Sequence, residues 1–281
     1  MSMEQTKQRM TDQERIMMVG NRAKHDKYFY IMLQIIGVLG FLIIWQAAVI
    51  WGWVDSKILS SPTSVIQLFL VKLGDIAPDG ATLGTNIFSS LKVALSGFGL
   101  AIVIGVPLGL LMGWYKGIDS FVRPIFEIVR PIPPVSWIPL TIVWMGIGLK
   151  AKAFIVFFAA FVPCVINAYT GIRQTSQVLI NVARTCGASN FTVFCKIGIP
   201  SAMSMTFAGI RVALGNAWAT LVAAEMLAAS SGLGYMILMG RQFARPDIII
   251  LGIVVIGVIG VIFTSILGLV ENKVLGWRKL G

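Results

Sequence analysis

Six stretches of this chain are apolar for long enough to cross a lipid bilayer. A helix needs roughly 20 residues to span the hydrocarbon. Candidate runs lie at about 29–51, 86–113, 124–145, 153–172, 200–228 and 248–270. The first, second and sixth are clear. The third is broken by prolines, and the fifth carries Arg211 and Glu225. Composition points the same way: 57% of residues are hydrophobic and 12% charged, against about 25% charged in soluble chains. Mean hydropathy is +0.84. One soluble core of this size could not hide so much apolar surface. We therefore expect an all-α polytopic membrane protein with six transmembrane helices. They form a single domain, 29–281, behind a polar cytoplasmic tail, 1–28. No cleavage site precedes the first run, so the first span reads as the targeting signal.

Net charge is +11, from 23 Lys and Arg against 12 Asp and Glu. The basic residues sit between apolar runs and at the ends, as the positive-inside rule predicts, and not in a nucleic-acid footprint. With the N-terminus cytoplasmic, fourteen basic residues fall inside and six outside, with Lys92, Arg130 and Arg211 within spans. Both termini are thus expected in the cytoplasm. Cys164, Cys186 and Cys195 form no CxxC pair, and the only histidine is His25 in the tail. That excludes a disulfide framework and predicts no metal site. No nucleophile–base pair stands at a membrane face, so no catalytic residue is expected and an enzyme is disfavoured.

Between the first two spans, Ser61-Pro62-Thr63 reads as a helix start. Val65, Ile66, Phe69 and Leu73 follow at helical spacing. A short helix on the outer membrane surface is predicted. Gly105, Gly109 and Gly113 repeat at i,i+4, as do Gly209, Ala213 and Ala217. Such stripes let helices approach closely, within one chain or between two copies.

Segment 173–199 is too polar to span. It contains Asn181, Val182 and Ala183, then Gly187, Ala188 and Ser189, and ends at Ile197-Gly198-Ile199-Pro200. Gly187 suits a left-handed helix end, Ser189 or Asn190 can cap the next helix, and Pro200 can open a span. Two short helices under the membrane are predicted. The alternative is a plain amphipathic connection.

This segment resembles the signature of ABC importer permeases, EAA-x3-G-x9-I-x-LP. Gly187, Ile197 and Pro200 hold the family spacing. The departures are Asn181 for Glu, Val182 for Ala and Ile199 for Leu. Residues 130–140 with 144–148, and 209–226, resemble the nitrate/sulfonate/taurine branch, most of all taurine permeases. The similarity runs over roughly 60–275.

The resemblance implies the six-helix fold of type I, MetI-like permeases, with 173–199 as a coupling helix that docks on an ATPase. It implies a bacterial inner-membrane location and a homodimer with a second permease copy. Two cytoplasmic ATPase subunits would carry ATP and Mg, and an extracytoplasmic protein would deliver the solute. No G-x-x-x-x-G-K-[ST] loop, and no Gly-Lys pair at all, exists here to cradle phosphates. No cofactor is expected on this chain, and its remaining partner is membrane lipid. The implied solute is a small organic anion, taurine or another sulfonate, with nitrate or an aromatic carboxylate as alternatives.

The third span holds Pro131, Pro133, Pro134 and Pro139. Broken backbone at membrane depth survives where it is buried in protein or lines a wet cavity. It reads as part of a translocation path or as a packing kink. Glu127, Arg130, Arg211 and Glu225 are charged at membrane depth, where charge is expensive and marks function by default. Glu127 and Arg130 stand at i,i+3 and can neutralise each other. Arg211 lacks a local partner, which suggests a carboxylate across helices, such as Glu225 of a second copy, or contact with solute. Trp137 and Trp218 are further candidates for the path. A secondary transporter would need paired inverted repeats, and no partner for the broken third span is visible.

Overall fold

The computed structural model describes residues 29–55 and 57–276. The expected tail 1–28, with His25, lies outside them, as do Arg278 and Lys279. The chain divides into two compact units at Ser64 and Val65. In the first, α1 (Phe29–Ile50) is long and apolar enough to cross a membrane. The Gln46 side chain donates to Thr63 Oγ1 at 3.1 Å and accepts from the Thr63 backbone N–H at 3.3 Å. Helix α2 (Pro62–Lys72) opens with Ser61 Oγ accepting from the Ser64 N–H, as the Ser-Pro-Thr start predicts.

The second unit is entirely helical among the described residues. Its spine is α6 (Leu149–Arg173), packed between α3 (Leu83–Trp114) and α9 (Ile199–Ala228). Glycine makes this possible. A Cβ on Gly97 would meet Val156, one on Gly105 would meet Cys164, one on Gly109 would sit 2.4 Å from the Val165 carbonyl, and one on Gly113 would meet Ile172. Both glycine stripes therefore serve packing inside one chain: a Cβ on Gly209 would meet Asn167 at 2.4 Å, while Ala213 and Ala217 are buried in the core.

Those contacts advance together along α3 and α6, so these helices run parallel. Gly171 meets Ala202 and Gly209 meets Pro163, so α9 runs antiparallel to α6. Two parallel spans require the chain between Trp114 and Leu149 to return across the membrane. The third predicted span does this in a form the sequence reading did not anticipate. Instead of one helix over 124–145, α4 (Lys116–Val129) and a single turn at Pro134–Trp137 continued by α5 (Ile138–Met145) meet at 84°. The prolines explain the break. Pro131 and Pro133 occupy the bend, while Pro134 and Pro139 stand in first turns, where a missing N–H does no harm. Among the described residues five helices are long and apolar enough to cross a membrane, and the bent pair taken as one span makes a sixth.

Two further elements differ from expectation. Helix α7 (Gln177–Thr185) forms as predicted, but α8 (Asn190–Val193) is no separate helix. It continues through a π turn at Phe194–Gly198 into α9. The π turn absorbs Pro200: the Ile199 N–H reaches back to the Phe194 carbonyl. Between α9 and α11 (Pro246–Val274) the loop folds into α10 (Leu233–Gln242), whose Leu233, Met236 and Gly240 are buried. The signal was a Leu233, Met236, Gly240 spacing of three and four, masked by flanking glycines.

Candidate functional site

Three places hold the residues singled out above. The first is the connection between α6 and α9. Gly187 adopts φ +82°, a conformation that strains any residue with a Cβ. It closes α7 in a Schellman motif, with the Ala188 N–H donating to the Ala183 carbonyl at 3.0 Å and the Gly187 N–H to that of Arg184 at 2.9 Å. Ser189 then caps the next turn, accepting from the Thr192 N–H at 3.2 Å. Asn181 and Val182 are exposed; Val178, Leu179 and Val182 form an exposed apolar ridge along α7, and Phe191 beyond the turn is exposed too. The ridge is anchored from below. Ile180 is buried, Phe194 packs on Trp114 and Tyr115, and a Cβ on Gly198 would lie 3.0 Å from Trp114. Ile197 is half-buried in the π turn and Pro200 stands in the first turn of α9. The connection is thus fixed to the ends of α3 and α6.

The second place is the bent crossing. Glu127 and Arg130 pair at 3.4 Å, as their spacing predicts. Both line a 210 Å³ cavity between α3, α4 and α6, together with Arg123, Phe126, Tyr169 and Thr170. Sequence reasoning missed the last four. Arg123, Glu127 and Arg130 share one face of α4, a pattern of four plus three that was open to view. The contribution of α6 was not. Pro133 lies in the bend and Pro134 opens the turn after it, and Trp137 stacks beside Phe158 at 5.2 Å with its indole N–H buried and without an acceptor.

The third place is α9, where the expected path disperses. Arg211 pairs with Glu271 of α11 in the same chain, not with Glu225. The sixth span was expected to end at 270, but α11 continues to Val274 and brings Glu271 within reach. Trp218 donates to the Ile256 carbonyl at 3.1 Å and lines a 390 Å³ groove between α9 and α11.

Glu225 is wholly buried in this conformation. Ser90 Oγ donates to its carboxylate at 2.8 Å and the Gly234 N–H at 2.9 Å, so it caps α10 and ties it to α3 and α9. Ser90 in turn accepts from the Leu233 N–H, and Asn86 accepts from that of Gly232. Asn86 donates to Asp79, whose other oxygen takes the Lys72 ammonium at 2.5 Å. Lys72 is one of the six basic residues that the charge split assigns to the outer segments. Here it is fully buried, and it also donates to the carbonyls of Ala77 and Ala81.

Residues 105–276 match the family described as binding-protein-dependent transport system inner membrane component. Over 243 residues the chain is 31% identical to the taurine transport system permease protein TauC of Escherichia coli K12, covering 86% of this chain and 88% of that one. It is 30% identical to the nitrate import permease protein NrtB of a Synechocystis strain, covering 85% and 88%. Among solved structures, the inward-facing MetNI methionine ABC transporter aligns with a TM-score of 0.54 at 20% identity, over 69% of this chain and 94% of that one.

Proposed function

The chain belongs to the family of binding-protein-dependent transport system inner membrane components, and from that premise we propose that it carries a small organic anion, taurine or another sulfonate, into the cell. It is a multi-pass permease subunit of an ABC importer. The observation that carries the mechanism is the exposed ridge of Val178, Leu179 and Val182, with Phe191 beyond the turn, held at one end of the spine behind a glycine-terminated helix. A partner ATPase, which holds ATP and Mg, takes this ridge. Closure of two such subunits pulls on α7. The pull reaches the ends of α3 and α6 through Phe194, Trp114 and Gly198. A second permease copy completes the path, and an extracytoplasmic binding protein loads it. The N- and C-termini lie in the cytoplasm of a bacterial inner membrane, and the outer surface of the bundle faces lipid. A nitrate solute is the second reading, favoured by the 30% identity to NrtB.

Co-expression tests this. The chain should purify with its ATPase, and binding protein loaded with taurine should stimulate ATP hydrolysis. Failure to co-purify with any ABC ATPase sinks the reading, and stimulation by nitrate but not taurine selects the second solute. Reporter fusions after residue 281 and within 75–80 should report opposite sides of the membrane.

A further inference from the structure

We infer that the cavity between α3, α4 and α6 is a binding site for a small oxyanion of the sulfonate or phosphate kind, with Arg123 as its main anchor. Its position tells first. Met112 lies two residues before the end of α3, and Tyr169 and Thr170 lie within the last turn and a half of α6. The cavity therefore sits at the end of the spine that bears the coupling ridge. It is also the place where the bent crossing meets that spine.

Its chemistry tells next. The Arg123 guanidinium lies over the Tyr169 ring, 5.0 Å from its centroid. Its Nε donates to Asp119 at 3.1 Å and one Nη donates to the Tyr169 hydroxyl. A guanidinium has five N–H donors in a fixed fork, so these bonds orient it and leave its other N–H groups free. Such a fork matches the paired oxygens of a sulfonate, phosphate or carboxylate. Arg130 spends one N–H on a long bond to Glu127 and keeps the rest. Thr170 adds a hydroxyl from the facing helix. Beneath these groups lie Met112, Phe126, Val165 and Ile166, an apolar floor that strengthens a charge–charge contact.

Size narrows the ligand. Pockets for drug-sized molecules run to roughly 300–1,000 Å³, and 210 Å³ excludes a nucleotide while admitting a small organic anion or one lipid headgroup. Asp119 and Glu127 each take one arginine, and the N–H groups left over, all donors, favour an oxyanion as ligand. A purely structural role accounts for one arginine pair holding α4 to α6. It does not account for two half-exposed arginines on a helix with no buried residue.

The inference rests on the importer reading only for the source of the ion, which is then the imported solute pausing before release. The same oxyanion chemistry belongs to an anionic phospholipid headgroup, and the test separates the two. The purified full complex is placed in phosphatidylcholine nanodiscs and its melting midpoint followed while methanesulfonate is added, with chloride at equal ionic strength as reference. A ligand that binds the folded state alone raises the midpoint. Methanesulfonate should raise it and chloride should not. Arg123→Gln should weaken the apparent Kd at least tenfold, and Arg123→Lys should recover only part of it. Ile125→Ala, on the opposite face of α4, should behave as the parent.

If a headgroup is the occupant, phosphatidylglycerol in the nanodisc raises the midpoint in an Arg123-dependent way and suppresses the methanesulfonate response. Either source supports the site. A methanesulfonate response that survives Arg123→Gln with Arg130→Gln overturns it, as does the absence of any response to both probes. Loss of ATPase co-purification with the response intact would sink the importer reading and leave the site standing.

Discussion

The α3–α6–α9 slab and the α4–α5 crossing traverse the same thickness by opposite means. In the slab, glycine and alanine bring backbones together, and the contacts repeat for the length of α6. Without a hydrophobic driving force between helices in lipid, close packing is what holds such helices together. In the crossing α4 has almost none of it, whereas α5 buries Ile138 against Ile155 and Ala224. Helix α4 buries no residue, and Phe121, Ile125 and Ile128 all point away from the chain's own core. It is instead held by Arg123 on Tyr169, Phe126 on Phe161, and Trp137 on Phe158. One part is built to keep its shape. The other is bent through 84°, and its first helix is fastened at a few points.

The strongest way to break this contrast is to overfill the slab. Gly109→Leu drives a side chain into backbone, since even a Cβ would stand 2.4 Å from the Val165 carbonyl. Overpacking of this kind costs up to about 3 kcal/mol or more. We expect the detergent-solubilised complex to be lost or to melt far below the parent. Gly99→Ala, where nothing lies within 4 Å, should be silent. On the crossing, Ile128→Ala should cost under ~1 kcal/mol. Equal losses at Gly109 and Ile128 would erase the distinction.

A second effect belongs to the far end of the slab. Ser90→Ala removes a donor to the buried Glu225 and the acceptor for the Leu233 N–H at once. Leaving buried groups unsatisfied costs about 1–3 kcal/mol each. A clear drop in melting midpoint is expected, with α10 the first segment to gain hydrogen exchange. An unchanged midpoint would show that Glu225 does not hold α10.

These two regions also explain what the sequence disclosed. Long apolar runs and i,i+4 glycines reveal spans and close packing, because both are properties of one helix. The cap at Ser61, the turn at Gly187 and the Glu127–Arg130 pair are local too, and all three form as the spacing predicts. What stayed hidden depends on partners distant in sequence. Glu225 meets Ser90 across 135 residues, Arg211 meets Glu271 across 60, and Arg123 meets Tyr169 across 46. No periodicity encodes such pairings. The bent crossing lay between these cases: its prolines announced a break, but the angle follows from the parallel course of α3 and α6.

A third prediction separates the slab's shape from its use. Gly187→Val forces a β-branched residue to φ +82°, which is strained by about 1–3 kcal/mol. The strain falls in an exposed turn with open space around it, so the spans should still insert and pack. Stimulation of ATP hydrolysis by loaded binding protein should fail. Normal stimulation in this variant would show that the turn does not transmit the stroke.

The smallest expected change in stability sharpens the comparison most, because it concerns a charge at the slab's edge. Arg211 pairs with Glu271, yet about half of its side chain remains exposed. A cation near the centre of a bilayer helix costs about 2.5–3.5 kcal/mol unless it is paired or hydrated, and pairing answers that cost here. An exposed ion pair contributes only about 0–1 kcal/mol net, so Arg211→Gln should barely move the melting midpoint. Transport then decides between two roles. If Arg211 only joins α9 to α11, uptake should stay at the parent level, and Glu271→Gln should behave identically. If the exposed half of the guanidinium meets the passing anion, Arg211→Gln should cut uptake several-fold in a complex of normal stability. Glu271→Gln, which frees the cation, should then spare uptake or raise it. Parallel behaviour of the two variants would assign the pair to packing and leave the bent crossing as the anion-facing part of this chain.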